Sequence, residues 1–180
     1  LGAHWRPCGI EWSPIAAGYA RRELDLDVAE GAFAPGLYEA ERFDAVAMLQ
    51  VLDHLADPRQ VLGEVGRILK PGGVLMLTSL VNGQSYCARV FGGGYRLLAP
   101  NHLYYFSPRT LRRILAETGF AVEQMRMPYW RTPYCNYREL NNLVWGTGRA
   151  VYRRWRGREP DVLSPPFYGN HLDVMARKLR

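Results

Sequence analysis

The chain has 180 residues, of which 48% are hydrophobic, 22% charged and 12% aromatic, the composition of one ordinary globular domain. That excludes collagen-like, coiled-coil and disordered chains, and the apolar runs at 45–52 and 74–81 are too short to cross a bilayer as helices. The net charge of +6 comes from 23 Lys and Arg against 17 Asp and Glu, and its excess is concentrated between Arg126 and Arg158, where Glu139 is the lone acid.

In chain order, strands are predicted at 7–11, 24–28, 43–49, 74–79, 120–125 and 171–178 from short runs of β-formers. The near-continuous apolar character of 45–49 and 74–77 predicts strands covered on both faces, whereas 171–178 alternates and is expected as an antiparallel edge strand. Ser13-Pro14, Asp57-Pro58 and Ser107-Pro108 each open a helix, because proline at the first helical position loses no needed hydrogen bond. The first helix runs to about Glu23. In the second, Val61, Leu62, Val65, Ile68 and Leu69 share a face, with Lys70 in the last turn and Pro71-Gly72-Gly73 ending it. In the third, Leu111, Ile114 and Leu115 form the stripe, closed by Gly119. Gly92-Gly93-Gly94 reads as a flexible active-site loop. Strand alternating with helix means α/β.

Cys8, Cys87 and Cys135 have neither zinc-site spacing nor the even count of a disulfide framework, so free thiols and a cytoplasmic setting are expected. The segment 128–166 breaks the rhythm and reads as an inserted basic helical lid. In it Leu140, Val144, Val151 and Trp155 share one helical face, with Leu143 and Tyr152 beside it and arginines around the rest. Two readings stay open: a lid helix packed on the domain by that face with a solvated basic side, or an interfacial helix meeting anionic lipid headgroups.

Ligands of an open α/β sheet bind at the carboxyl ends of its strands, which directs attention to Glu11, to Gln50 and to His54, which follows the acid Asp53. Alone, Glu11 reads equally as a solvated acid beside a helix start, and His54 as a structural histidine. Their order with other motifs says more. Cys8-Gly9-Ile10-Glu11-Trp12-Ser13-Pro14, Glu30-Gly31-Ala32-Phe33, Phe43-Asp44-Ala45-Val46, Leu52-Asp53-His54, Leu69-Lys70-Pro71-Gly72-Gly73 and Tyr105-Phe106-Ser107-Pro108 together resemble the class I S-adenosylmethionine-dependent methyltransferases. The similarity runs over about 8–125 plus the final strand, and is greatest to the small-molecule branch that includes ubiquinone-type O-methyltransferases.

The resemblance implies a Rossmann-like sheet, mostly parallel with an antiparallel C-terminal strand, and S-adenosylmethionine as cofactor. It implies that Glu11 binds the ribose hydroxyls with Trp12 flanking the adenosine. Ala32 and Phe33 fall at the adenine contact, Ala32 replacing the usual acid, and Leu49 and Gln50 fall beside the methionine moiety. It offers His54 and His102 as general bases, with Tyr105 and Arg131 as substrate contacts; no metal is expected. The organisation it implies is a core at 1–127, a lid at 128–166 and a final core strand at 167–180.

Two departures bear on completeness. The family's glycine-rich loop and first strand have no counterpart here, and the chain opens on Leu1, so upstream residues are expected to be missing and 1–6 to be a helix tail. Without that strand, those at Cys8 and Leu24 have no neighbour joining them to the one at Phe43. The activity implied is methyl transfer to a small molecule at oxygen or carbon by in-line displacement, an anionic or lipid-linked acceptor suiting the arginines. A nucleic-acid methyltransferase is the second reading, favoured by the basic excess and interleaved aromatics but lacking an Asn-Pro-Pro-Tyr motif. A non-catalytic cofactor-fold module is the third, supported by Ala32 and the absent loop.

Overall fold

The computed structural model describes residues 5–130 and 132–179, and the chain divides into two units, Leu1–Tyr38 and Glu39–Arg180. In the first, β1 (Cys8–Glu11) and β2 (Asp27–Glu30) pair in parallel, connected by α1 (Pro14–Glu23), whose start is capped by Ser13 accepting from the Ala16 N–H at 3.3 Å. β2 begins at Asp27 rather than at residue 24. Asp25 takes a φ of +50° and the Leu26 N–H returns to Ala20 O at 3.1 Å, so the residues expected to open the strand instead close the helix.

The second unit is built on a sheet of order β3-β4-β6-β5, comprising β3 (Phe43–Leu49), β4 (Leu69–Val81), β5 (Phe120–Arg126) and β6 (His171–Lys178). β3 runs parallel to β4, and β6 is antiparallel to both β4 and β5, so β6 is the one reversed strand. It was expected at an edge and lies inside the sheet. Alternation reports that one face is buried, here by Leu172, Val174 and Ala176, and says nothing about how many neighbours a strand has. The edges are β3 and β5, and β3 has β4 as its partner among the described residues; Ala45, Ala47 and Leu49 are exposed, so the expected two-sided cover is absent there. No strand among the described residues joins β1 and β2 to this sheet, as the sequence leads one to expect.

α2 (Pro58–Ile68) starts on Asp57, which accepts from the Gln60 N–H at 3.0 Å, and buries Leu62, Val65 and Ile68. It stops before Leu69-Lys70, which the sequence places in its last turn: Leu69 is extended and pairs with Phe43. At the turn that follows, Gly72 has a φ of +74°, and a Cβ on Gly73 would lie 2.9 Å from Lys70 O, so two glycines are needed there. α4 (Pro108–Glu117) begins with a reciprocal cap between Ser107 and Thr110, buries Leu111, Ile114 and Leu115, and leads through Gly119 at φ +85° into Phe120. Each fully buried Leu or Phe contributes about 1.5–3 kcal/mol.

A second cluster of buried residues joins α3 (Tyr86–Phe91) to α5 (Tyr137–Trp155): Val81, Cys87, Phe91, Tyr95, Leu143 and Ala150. The face of α5 turned inward is not the expected one. Leu143 and Ala150 are buried, and between them the half-buried Gly146 has its Cβ position 3.1 Å from the Phe91 ring, whereas Leu140, Val144, Val151 and Trp155 are exposed. The broad ring of Phe91 needs small residues opposite it, and a search for a bulky stripe selects the other side. The same crowding corrects the glycine triplet. Gly92–Gly94 forms a tight 3-10 turn in which Gly94 is buried and its O accepts from the Ser164 N–H at 2.8 Å, a packed corner rather than a flexible loop.

Candidate active site

Where β3 ends, Gln50 is held at φ +53° while its N–H donates to Thr78 O at 3.1 Å. A non-glycine residue in this region costs of order 1 kcal/mol or more and is a frequent mark of functional sites. The chain then turns through Leu52–His54, which buries Asp53 to 1% exposure and leaves His54 half-buried.

Asp53 is the organising residue. Its backbone O accepts from the N–H groups of Leu103 and Tyr104 at 2.9 and 3.1 Å, which ties the loop carrying His102 to the turn carrying His54. Its Oδ2 accepts from the Val81 N–H, at the end of β4, at 3.4 Å, while Oδ1 has no hydrogen-bond partner. His54 Nε2 lies 3.8 Å from Oδ1 and His102 Nε2 lies 3.8 Å from Oδ2, with the two rings 4.6 Å apart between centroids. His54 Nδ1 is 2.7 Å from Asn101 O. A carbonyl only accepts, so Nδ1 carries the hydrogen and Nε2 of the neutral ring presents a lone pair. His102 Nδ1 is buried and unpartnered.

This arrangement can do two things chemically. An imidazole beside an under-satisfied buried carboxylate accepts a proton and is held as imidazolium by that charge. The same groups can also hold a divalent cation, since one ligand atom from each of Asp53, His54 and His102 lies within 4.8 Å of the others, a nitrogen and oxygen donor set suited to such ions. The sequence names both histidines but treats Asp53 only as the acid before His54; the signal available was the adjacency itself, and the loop that returns His102 was not visible in it.

Neighbouring groups brace the cluster. Asp173 Oδ1 accepts from the Ser79 N–H at 2.8 Å, where Ser79 sits at φ +58°. Burial pushes the His171 imidazole below its usual range, while Asp173 and Asp53 pull it partly back. The Tyr105 hydroxyl donates to Ala99 O and accepts from the Ala99 N–H at 3.1 and 3.0 Å, so it anchors the loop, while its ring meets His102 edge-on with centroids 5.9 Å apart and packs on the buried cluster around Phe91. Burial pushes the Tyr95 hydroxyl up to about 12, and it donates within the loop base to Asn82 O and Asn170 O at 3.2 Å each. Arg131 lies outside the described residues. Leu49 and Gln50 are exposed at the end of β3.

In the first unit, Glu11 ends β1 half-buried, with Oε1 accepting from the Ser13 N–H at 2.8 Å. That bond fixes the carboxylate at the strand end and leaves Oε2 without a partner among the described residues, which fits acceptance of a ribose diol. Trp12 and Ala32 are exposed and Phe33 is half-buried, and Gly31, at φ +130°, opens the turn between β2 and Phe33.

Residues 2–125 match the Methyltransferase domain family. A ubiquinone biosynthesis O-methyltransferase of Thiobacillus denitrificans is 35% identical over 130 residues, covering 65% of this chain and 56% of that protein. The chain thus spans little more than half the length of this curated relative. Among solved structures, a SAM-dependent methyltransferase of Thermotoga maritima superposes with a TM-score of 0.63 at 21% identity over 94% of this chain and 72% of that one. A geranyl diphosphate C-methyltransferase of Streptomyces coelicolor, solved with S-adenosyl-L-homocysteine, gives 0.59 at 18% identity over 97% of this chain and 63% of that one. With the family matched across more than half of its residues, the chain belongs to the class I S-adenosylmethionine-dependent methyltransferases.

Proposed function

We propose that the protein methylates a hydroxyl group of a small molecule, with S-adenosylmethionine as donor. The observation that carries this reading is the buried Asp53 carboxylate flanked by the imidazoles of His54 and His102 at the carboxyl ends of β3 and β4. The O-methyltransferase relative supports oxygen over carbon as the acceptor atom.

The donor supplies an electrophilic methyl on a sulfonium, which needs alignment with the nucleophile more than activation. Glu11 accepts hydrogen bonds from the ribose hydroxyls, with Trp12 beside the adenosine. Phe33 packs on the adenine, and the backbone at Ala32 takes over from the absent acidic side chain. Leu49 and Gln50 line the methionine end. His54 Nε2 would take the proton of the acceptor hydroxyl, whose oxygen would gain the methyl group as the sulfonium carbon–sulfur bond breaks to leave a neutral thioether, and Asp53 would hold the resulting imidazolium; general base action of this kind contributes about 10²–10⁴-fold. His102 closes the other side of Asp53, and Tyr105 keeps its loop in place. An imidazole is better matched to a phenolic hydroxyl, with a pKa of about 10, than to an aliphatic alcohol, so the acceptor is a phenol or enol.

The test is transfer of labelled methyl from S-adenosylmethionine to a catechol, an aliphatic alcohol, a primary amine and an RNA transcript in parallel. Label in the catechol alone is the expected result. Label in RNA, or the absence of any cofactor binding by calorimetry, would replace this reading with the nucleic-acid or the non-catalytic one.

A further inference from the structure

Helix α5 presents two apolar faces, and the fold uses only one. Leu143, Gly146 and Ala150 pack inward on α3. On the outside, Leu140, Val144, Val151 and Trp155 are 50%, 64%, 55% and 78% exposed, and at 3.6 residues per turn they fall within an arc of about 60°. Trp145 and Tyr152, 74% and 58% exposed, widen that stripe. Next to them around the helix come Arg138, Arg149 and Arg156. Arg149 is held by both oxygens of Asp161 at 2.9 and 2.8 Å, whereas the guanidinium groups of Arg138, Arg156 and Arg158 have no hydrogen-bond or ion-pair partner among the described residues. Beside the stripe runs an open cleft of about 970 Å³ lined by Arg96, Arg138, Arg149, Trp145, Tyr152 and Leu163.

We infer that the outer face of α5 is a docking surface for an anionic lipid bilayer, with the helix lying in the plane of the interface. An aliphatic stripe bordered by Trp and Tyr and flanked by arginine is what an interfacial helix needs: the stripe enters the acyl boundary, the aromatic rings sit at headgroup depth, and the guanidinium groups meet phosphates. The cleft adds a recess that Arg96 and Arg138 both line, positive charge for one such headgroup. None of the described helices is long and apolar enough to cross a membrane, so contact is with the surface. Charge selects this occupant over the alternatives. A second copy of the chain brings the same unpaired arginines to the contact, with Glu139 as the sole acid of the helix. A nucleic acid satisfies the arginines and aromatics but offers nothing apolar to Leu140, Val144 and Val151.

The experiment is co-sedimentation of the protein with vesicles of phosphatidylcholine alone and of phosphatidylcholine with phosphatidylglycerol, at low and high salt, with tryptophan emission recorded on the same samples. Binding to the anionic vesicles only, weakened by salt and accompanied by a blue shift from Trp145 and Trp155, is the expected result. The double variant Val144→Asp, Val151→Asp, at exposed positions that leave thermal unfolding unchanged, loses this binding. The triple variant Arg138→Gln, Arg156→Gln, Arg158→Gln weakens it about a hundredfold, from roughly fivefold per arginine. Equal recovery with both vesicle types overturns the proposal. So does anionic-vesicle binding that survives the aspartate pair, which would mean charge attraction without insertion, and so does a dimer in analytical ultracentrifugation that the aspartate pair dissociates while vesicle binding persists.

Discussion

Substituting alanine at each of Gly92, Gly93 and Gly94 in turn discriminates a packed corner from a flexible loop, because the structure assigns the three positions different costs. At Gly94 a Cβ would lie 2.3 Å from the Val162 carbonyl oxygen, roughly 1 Å inside ordinary contact. The obstacle is backbone, so the 162–164 segment has to move. Overpacking of this kind costs about 1–3 kcal/mol, and the Ser164 N–H bond to Gly94 O, 2.8 Å long, puts about 1 kcal/mol more at risk. For a chain of this size each kcal/mol shifts Tm by about 2–4 °C, so Gly94→Ala is expected to melt about 5–15 °C early. At Gly93 nothing lies within 4 Å and φ is not left-handed, so alanine there is neutral or stabilises by up to about 1 kcal/mol through the unfolded state. Gly92 is intermediate: its φ of +53° with ψ of −121° lies outside the left-handed helical region and costs an L-residue about 1–3 kcal/mol, and the contact at 2.8 Å is with the mobile end of Arg154. Differential scanning calorimetry of the three single variants gives the order directly. A Gly94→Ala protein melting within about 2 °C of the parent, or Gly93→Ala as the worst of the three, would refute the packed turn.

Three further outcomes are expected. Glu11→Gln keeps the Oε1 acceptor for Ser13 but removes the charge, so S-adenosylmethionine affinity measured by calorimetry falls about 10–100-fold, the equivalent of 1.5–3 kcal/mol, with the circular dichroism spectrum unchanged; unaltered affinity would count against the ribose role. His171, depressed mainly by burial, binds its proton more readily in the unfolded chain, so the stability it contributes is present above its unfolded value of about 6.5 and is lost as pH falls through the lower folded one. Urea midpoints of the parent should therefore decline on that acid side more steeply than those of His171→Gln, and parallel declines would refute it. Cys87 is buried and its thiol is pushed up to about 11 by burial, while Cys8 and Cys135 are exposed, so Ellman's reagent should label those two in the native protein and Cys87 only after unfolding; a third fast thiol would contradict the packing of α3.

What could be read from residue order was local chemistry. The three cap-and-proline helix starts are where Ser13, Asp57 and Ser107 place them, since a cap acts within one turn of its own residue. The strands and the reversed direction of β6 were equally legible. Positions set by distant partners were not. β6 sits between β4 and β5, and α5 turns Leu143 rather than Val144 inward, because the shape of Phe91, some fifty residues upstream, decides which side fits. The site shows the same division. His54 and His102 stand out by residue type and by likeness to a family, but the buried Asp53 between them becomes the centre only when the backbone bonds from Leu103 and Tyr104 fold the second loop onto the first turn.

The central claim, that His54 takes the acceptor proton and Asp53 holds the imidazolium, is tested most directly by comparing the parent protein with His54→Gln for labelled methyl transfer to a catechol, with S-adenosylmethionine affinity measured on the same preparations. Transfer by the parent, a loss of about 10²–10⁴-fold in the variant and equal cofactor affinity in both is the predicted result. A variant that transfers methyl as fast as the parent would contradict it.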